Sequence, residues 1–510
     1  MITLVIILLT FVVLYFYNTR SFKYWEKKGV KHDKPVVFFG NNMDGLLLRK
    51  SKVQITRELY NKYPNERLIG FYRGTRPELI VRDPELVKRI LVTDFGSFFY
   101  RGFIPYTKVM EPLLRNVFAA EGDLWKMLRM RMTPAFTSTK LKAMFPLIVE
   151  RAEKLQSRTF EVAASGKTYD AKELMARYTT DFIGACGFGL ESDSLNDDNS
   201  DFRKLGRKFV ELRIGDALVA VLKDMFPELC KNLKYFFRVE KDVKILSENI
   251  QKARNYQPIG RNDFVDLMLA IKNLESVEME SIERKKDDGT PELVTINFDD
   301  DVFMAQLAMF FGAGFETSAT TSSMTLNLLA FHPEEQANVQ DDIDRVLAKY
   351  DNKLSFEAVN EMNYLKMAIK EAMRIFPSLG FVSRQCAKSY TIEDLGLTID
   401  KGINVMIPIQ ALHMDSKYWD KPEDYRPERF RNEEENKDVF LPFGNGPRNC
   451  IGSRLGLMQT MAGVAAILSK FTVKPAPESR RIPIIDPMSE IAQGIVGGLP
   501  LMFYVRNEKK

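Results

Sequence analysis

One cysteine lies in a setting that suits metal ligation. In "FGNGPRNCIG" Cys450 follows Phe443, Gly446 and Arg448, and it precedes Gly452. An apolar helix is predicted directly after this loop, so free backbone N–H groups and the positive helix end would stabilise a thiolate. A thiolate held in this way is suited to bind iron, and the competing interpretation is a buried structural cysteine in a turn. The clustering of all these residue types in one short loop favours the iron ligand.

A second candidate site interrupts a long apolar helix. The stretch "FGAGFETS" places Ala313, Gly314, Glu316 and Thr317 among residues typical of a buried helix. Glycine in a helix interior costs about 1 kcal/mol, and a buried unpaired carboxylate costs several kcal/mol more. The local cost indicates that these residues serve a function other than helix packing.

Two further pairs are spaced to share one face of a helix. Trp125 and Arg129 lie one turn apart, and Glu371 and Arg374 form an i,i+3 pair in "KEAMR". The first pair is also consistent with an amphipathic helix that carries a core tryptophan. The second is consistent with an ordinary surface ion pair. Spacing alone leaves both alternatives open.

Composition narrows the class of protein. With 510 residues, 45% hydrophobic and 28% charged, the chain is predicted to be globular with a large core. A formal net charge of +5 is too mild for a nucleic-acid binder. Four dispersed cysteines without a CxxC pair argue against disulfides and zinc, and three histidines argue against a histidine-rich metal site.

The N-terminus begins with an apolar run over residues 2–17, long enough for a helix of roughly 24 Å. A membrane anchor is favoured over a cleavable signal peptide, because no basic residue precedes the run and no A-x-A-like site follows it. The basic residues of 20–31 then orient the rest of the chain towards the cytosol.

The remaining chain is predicted to be largely helical. A hairpin is expected at 67–83, helices dominate from about 122, and the polar stretch 276–297 is expected to be an exposed loop or short excursion. Asp299 is expected to begin a cap for a helix of about 33 residues that ends at His332.

Four phrases resemble the cytochrome P450 family of haem-thiolate monooxygenases, closest to its microsomal insect members that metabolise xenobiotics. They are "FKYWEKKGVKHDKP", "YTTDFIGACGFGLE", "AGFETSATT" and "FLPFGNGPRNCIG". The likeness covers essentially the whole chain. It implies a mainly α fold with a smaller β region (α+β), a long central helix over the haem and an N-terminal anchor helix. The domains implied are an anchor at 1–19, a basic, proline-containing linker at 20–35 and one catalytic domain at 36–510.

The resemblance assigns roles around haem b (iron protoporphyrin IX). Cys450 would be the axial thiolate ligand of the iron. The haem contacts implied on the propionate side and in the cysteine loop are Trp125, Arg129, Arg448, Phe443, Gly446 and Gly452. Bidentate pairing of arginine with a carboxylate is the physical reason for the arginines, and Arg384 remains unassigned.

The distal side and the supporting core receive roles by the same likeness. Ala313 and Gly314 would let the long helix approach the haem face and leave room for dioxygen. Thr317 and Glu316 would deliver protons as the catalytic pair. A buried structural network is implied on the haem side of the core, formed by Glu371, Arg374 and Arg429 of "PERF".

The partners follow from the family chemistry. NADPH is expected to act indirectly through an NADPH-dependent haemoprotein reductase, with cytochrome b5 as a further candidate partner. A basic docking patch for the reductase would comprise Lys126, Arg131, Lys140, Lys142 and Arg454, with ordinary solvated charges as the alternative. The implied location is the endoplasmic reticulum membrane (microsome), with the catalytic domain facing the cytosol and no nucleic-acid partner.

The substrate pocket implied by the likeness comprises 101–120, 205–226, 305–317, 378–383 and 492–498. Its aromatic and aliphatic residues indicate a lipophilic small molecule. Oxidation of xenobiotics, insecticides or plant toxins is the first hypothesis, and biosynthetic hydroxylation of a hormone or fatty acid is the alternative. A haem-thiolate isomerase or dehydratase and a non-catalytic haem-binding protein are disfavoured, because neither needs Glu316 with Thr317.

Overall fold

A computed structural model describes residues 2–103, 110–190, 192–210, 213–261, 263–432, 436–489 and 491–506. Helices dominate these residues, and the strands form small separate sheets. The predicted mainly α fold with a smaller β region is therefore confirmed.

The described residues form eighteen α-helices, whose bounds are α1 (Ile2–Thr19), α2 (Tyr24–Lys27), α3 (Met43–Leu46), α4 (Lys52–Lys62), α5 (Pro84–Lys88), α6 (Gly122–Met132), α7 (Ser138–Ala164), α8 (Ala171–Ile183), α9 (Asp201–Val210), α10 (Ile214–Met225), α11 (Phe237–Ala253), α12 (Phe264–Lys272), α13 (Asp300–Phe331), α14 (Pro333–Leu347), α15 (Phe356–Glu361), α16 (Asn363–Ile375), α17 (Ile409–His413) and α18 (Ser453–Lys470). The strands are β1 (Leu68–Arg73), β2 (Arg76–Val81), β3 (Tyr169–Asp170), β4 (Ser276–Lys285), β5 (Pro291–Asn297), β6 (Val382–Gln385), β7 (Tyr390–Ile392), β8 (Leu397–Ile399), β9 (Asn404–Ile407), β10 (Phe471–Pro475), β11 (Ile484–Ile485), β12 (Ile495–Val496) and β13 (Pro500–Val505).

The central element is α13, which has 32 residues and spans about 48 Å at 1.5 Å per residue. Asp299 caps its start by accepting a hydrogen bond from the backbone N–H of Val302 (2.8 Å), and the helix ends before His332 as predicted. Most of its length is buried, with α8 and α18 packed against it. Packing against α8 and α18 therefore fixes the position of α13 in the core.

The largest sheet has the order β1-β2-β9-β6. Strands β1 and β2 form the predicted antiparallel hairpin, with Leu68 opposite Val81, and β9 runs parallel to β2. A second sheet, β10-β13-β3, brings the C-terminal strand beside the segment before α8. Both sheets join segments that lie far apart in the sequence.

The prediction of an exposed loop at 276–297 is wrong, because this stretch forms the antiparallel hairpin β4–β5. Alternate side chains of β4, among them Val277, Met279 and Ser281, are buried. Ser281 Oγ donates to Asp123 Oδ2 on α6 (2.8 Å). Buried and exposed side chains alternate along β4, and the buried ones face α6, but the polar composition of the stretch concealed this pattern.

The first helix contains the apolar run 2–17. No helix in the described part of the chain combines the length and the apolar character that a membrane span requires. Within the predicted linker, Trp25 is completely buried, and its indole Nε1 donates to the carbonyl oxygen of Phe71 (3.2 Å). Tyr24 donates to Asp400 Oδ2 (2.6 Å), so this part of 20–35 is packed against the sheets of the domain.

Candidate active site

The cysteine loop runs into α18 and opens onto a large cavity. Cys450 lines this cavity, and its backbone N–H donates to the carbonyl oxygen of Phe443 (2.9 Å). Burial raises the pKa of the Cys450 thiol, while the Gly452 backbone N–H and the Arg129 and Arg101 guanidinium groups lower it. Because the thiolate is the form that binds iron, these donors and charges act in the direction that ligation needs.

The two glycines assigned to this loop differ in how strictly they are required. Gly446 has a φ of +72°, and a Cβ there would collide with the carbonyl oxygen of Leu91. A Cβ on Gly452 would make only an ordinary contact with the Phe136 ring, at 3.6 Å. Of the two positions, only 446 therefore requires glycine, because its φ is positive and a side chain would not fit there.

One wall of the cavity is formed by the middle of α13. Thr317 Oγ1 donates to the carbonyl oxygen of Ala313 (2.7 Å), and both residues line the cavity. Gly314 lines it too, but a Cβ on this residue would lie 2.5 Å from Cδ1 of Ile183 on α8. The missing side chain of Gly314 therefore permits close packing of α8 on α13, in contrast to the expected clearance over the haem face.

Glu316 has a partner that the sequence motifs did not indicate. Its Oε1 lies 2.9 Å from Lys172 Nζ at the start of α8 and accepts a hydrogen bond from Thr320 Oγ1 (3.4 Å). Lys172 is partly buried and lines the same cavity. Nothing in the spacing around Lys172 distinguishes it from a surface lysine, so only the fold could pair it with Glu316.

Four arginines lie near the cysteine loop, and we call Arg101, Arg129, Arg384 and Arg448 the arginine cluster. The guanidinium carbon of Arg448 lies 4.5 Å from the centre of the Trp125 ring. Arg101 Nη2 donates to the carbonyl oxygen of Arg448 (3.4 Å), and Arg129 donates to that of Asn449 (2.8 Å). The structure thus brings the predicted contacts Trp125, Arg129 and Arg448 together and adds two arginines to them.

The arginine cluster has an excess of positive charge. Burial, followed by the charge of Arg448, lowers the pKa of Arg384 to about 9. Burial also lowers the pKa of Arg448 to about 10, against the opposing charge of Glu121. Within the described residues, Nε of Arg101, Arg384 and Arg448 and Nη1 of Arg448 are buried without a hydrogen-bond partner. Buried cationic nitrogens without partners favour an anionic ligand at this position.

Haem fits this arrangement. Its two propionate carboxylates would supply acceptors for the unpartnered guanidinium nitrogens, and its apolar ring would occupy the cavity between Cys450 and Thr317. The sequence left Arg384 unassigned and did not single out Arg101. Both lie far along the chain from the cysteine loop, and neither belongs to a recognisable motif.

The predicted structural network is fully formed. Arg374 Nε lies 2.7 Å from Glu371 Oε2, and Arg429 Nε lies 3.2 Å from Glu371 Oε1. Arg374 also donates to the carbonyl oxygens of His413 (2.9 Å) and Pro422 (2.7 Å). Glu371 and Arg374 are completely buried, and each guanidinium nitrogen of Arg374 has an acceptor inside the protein.

The cavity has a volume of about 740 Å³. All five segments predicted to line the substrate pocket contribute to its wall, although residues 104–109 and 211–212 of those segments lie outside the described residues. Aromatic side chains contribute to the wall, among them Phe103, Phe118, Phe209, Phe236 and Phe310. A cavity of this size and character suits a lipophilic small molecule.

The predicted basic patch is partly engaged within the protein. Lys126 Nζ donates to the carbonyl oxygen of Glu280 on β4 (2.6 Å), and Lys142 pairs with Glu357 (2.7 Å). Arg454 donates to Ser138 Oγ (3.1 Å). These contacts engage three of the five side chains, and that of Lys142 is with a carboxylate.

Comparison with protein families matches residues 31–499 to the family described as Cytochrome P450. Curated insect proteins match over nearly the full length. Cytochrome P450 6B6 of Helicoverpa armigera is 36% identical over 95% of this chain and 94% of its own length. Cytochrome P450 6k1 of Blattella germanica is 34% identical over 98% and 96%. Cytochrome P450 6a2 of Drosophila melanogaster is 35% identical over 97% of both chains.

Proposed function

The chain belongs to the cytochrome P450 family and is a monooxygenase similar to insect members of that family, and we propose that it oxidises lipophilic foreign compounds with electrons that a reductase draws from NADPH. One observation carries the proposal. The Cys450 thiol, the α13 residues Ala313 and Thr317, and the guanidinium groups of Arg129 and Arg448 all line one cavity of about 740 Å³.

We propose that haem b is held by Cys450 and the arginine cluster. Cys450 would be the axial ligand, with Phe443, Gly446 and Gly452 shaping its loop. The arginines and Trp125 would bind the propionates through charge-assisted hydrogen bonds. When bound, haem with an axial thiolate supplies the chemistry that activates dioxygen. Glu371, Arg374 and Arg429 would support this side of the core without touching the cofactor.

Proton supply is assigned to the α13 pair together with Lys172. The Thr317 hydroxyl donates its hydrogen bond to the Ala313 carbonyl oxygen, so its oxygen lone pairs can accept a hydrogen bond from water in the cavity. Glu316 Oε1 accepts from Lys172 Nζ, and a proton that leaves this pair would reach Thr317 through ordered water. We therefore expect Thr317→Ala to retain haem and consume NADPH while forming peroxide in place of product.

The Thr317 assignment is checked by the ratio of product formed to NADPH consumed. Thr325→Ala is the matched control, because Thr325 lies on the same helix, its hydroxyl donates to the Thr321 carbonyl oxygen (2.8 Å) as that of Thr317 does to Ala313, and it does not line the cavity. Equal coupling in Thr317→Ala and wild type would contradict the role.

The electron donor and the location belong to the same proposal. An NADPH-dependent reductase, with cytochrome b5 as a second partner, would dock on the basic side around Lys126 and Arg131. The apolar run 2–17 and the basic residues after it support association with the endoplasmic reticulum membrane, with the catalytic domain in the cytosol. Removal of 1–19 should move the protein from the membrane to the soluble fraction; unchanged fractionation would remove the anchor from the proposal.

The reaction itself is tested by turnover. The full chain, loaded with haem and supplied with NADPH and a reductase, is incubated with panels of plant toxins, insecticides, steroids and fatty acids under isotopically labelled dioxygen. We expect one labelled oxygen atom in the product of a lipophilic foreign compound. Turnover confined to steroids or fatty acids would replace detoxification with a biosynthetic role, and products without the label would contradict monooxygenation.

A further inference from the structure

A single carboxylate links the cofactor-side segments of the chain. Glu121 accepts hydrogen bonds from the backbone N–H groups of Arg101 (2.8 Å) and Gly102 (2.9 Å). Its Oε2 lies 3.1 Å from Nη2 of Arg448. Glu121 is also the residue that precedes α6, the helix that carries Trp125. Three segments that face the proposed haem site therefore meet at one side chain.

The contacts of Glu121 identify its charge state from geometry. Two backbone N–H groups and one guanidinium group point at its oxygens, and each of these groups can only donate. Burial raises the pKa of Glu121, whereas the charge of Arg448 and these two N–H groups lower it. An ionised carboxylate accepts all three hydrogen bonds, whereas the O–H of a protonated one would face another donor. Among the described residues, Glu121 is the carboxylate that is ion-paired with the arginine cluster.

The position of Arg448 depends on this pairing. Its guanidinium group lies over the Trp125 ring, and its Nη2 is held both by the Glu121 carboxylate and by the Ala120 carbonyl oxygen, to which it donates. Nε and Nη1 remain free to bind an acceptor in the cavity. Glu121 therefore presents the unpartnered side of Arg448 to the cofactor site.

We propose that Glu121 is a positioning residue that orients Arg448 towards the cofactor and, through its negative charge, lowers the reduction potential of the bound haem. This inference rests on the proposed haem site. A buried negative charge disfavours arrival of an electron nearby, and a low dielectric reduces its screening. Glu121 thus offsets part of the positive field that the arginine cluster creates.

The test is the reduction potential of the haem-loaded full chain. Glu121→Gln keeps an oxygen that can accept from the Arg101 and Gly102 N–H groups but removes the charge. We expect its potential to shift to a more positive value than that of wild type. Asp181→Asn is the matched control, because Asp181 is also buried and accepts from the backbone N–H groups of Ser194 (2.6 Å) and Leu195 (3.1 Å).

Asp181 does not line the cavity, so its substitution should lower stability without moving the potential. A purely structural role for Glu121 would do the same, and an unchanged potential in Glu121→Gln would therefore overturn the proposal. If this variant binds no haem, Glu121→Gln with Arg384→Met is compared with Arg384→Met alone. A more positive potential in the double variant supports the proposal, and equal potentials overturn it.

Failure of this inference is separable from failure of the haem site. The carbon monoxide complex of the reduced wild type is recorded first, and a spectrum typical of thiolate-ligated haem is required. Its absence would count against the proposed function. Its presence together with an unshifted Glu121→Gln potential would count against Glu121 alone.

Discussion

Two buried groups of arginines in this protein differ in what completes them. Around Glu371, all three guanidinium nitrogens of Arg374 donate to acceptors within the protein. In the arginine cluster, Arg101, Arg384 and Arg448 retain buried nitrogens without partners. Folding alone completes the hydrogen bonds of Arg374, whereas the arginine cluster retains donors that an anion from outside the chain could satisfy. The difference teaches that buried arginine marks a ligand site only where its donors exceed the acceptors that the protein supplies.

The largest effect on stability is expected when the Glu371 carboxylate is removed from its buried arginine partners. Glu371→Ala leaves Arg374 buried without its counterion, and we expect the free energy of unfolding to fall by about 3–5 kcal/mol. Chemical denaturation measures this loss. The control is Glu85→Ala, since Glu85 pairs with Arg89 at 2.6 Å on the surface and its removal should cost at most about 1 kcal/mol. Similar losses in the two variants would contradict the comparison.

Substitution in the arginine cluster should weaken haem binding without lowering the stability of the haem-free protein. Arg384→Met removes a buried cation that donates one hydrogen bond, to the Ser383 carbonyl (2.8 Å). We expect the haem-free protein to be at least as stable as wild type. Haem binding should weaken by about 1.5–3 kcal/mol, on the order of 10- to 100-fold, because a charge-assisted contact is lost. Haem titration and denaturation of the same preparations measure both quantities, and a stability loss with unchanged haem affinity would place Arg384 with the structural group.

A smaller loss of stability is expected when Arg429, the second arginine bound to Glu371, is replaced. Arg429 contributes one bond to Glu371 and another to the Lys421 carbonyl (2.7 Å), but Arg374 still neutralises Glu371 without it. Arg429→Met should therefore cost about 1–3 kcal/mol of unfolding free energy, less than Glu371→Ala. Thermal and chemical denaturation rank the two variants, and the reverse ranking would show that Arg429 is the main counterion.

The smallest predicted effect is a pH trend. Because the pKa of Arg384 is lowered to about 9 in the folded protein, the unfolded chain binds more protons above that pH. The cost of burying the charged group is full below pH 9 and declines as pH rises through about 9. The stability advantage of haem-free Arg384→Met over wild type should therefore shrink in that range. An advantage that stays constant with pH would contradict the charge-burial explanation.

Motifs located the parts of the site that depend on local spacing. The cysteine loop, the α13 acid and alcohol, Trp125 with Arg129, and Glu371 with Arg374 are each defined within a few residues, so their patterns are visible in the sequence. The long central helix was predicted from its apolar run and its aspartate cap for the same reason.

Other parts depend on contacts between distant segments. Lys172 meets Glu316, and Arg101 meets Arg448, only because folding brings separate elements together. The buried side of β4 was concealed by its polar composition, and the space that Gly314 leaves is filled by Ile183 from α8. No local pattern carries such information, so these features required the structure.

The central claim is that Cys450 ligates haem iron in this cavity. The most direct measurement is the spectrum of the reduced, carbon monoxide-treated holoprotein, compared with Cys450→Ser and with Cys386→Ser, a buried cysteine outside the cavity. The account predicts the spectrum of a thiolate-ligated haem in wild type and Cys386→Ser, and its loss in Cys450→Ser. A folded wild type without that spectrum, or a Cys450→Ser variant that retains it, would contradict the account.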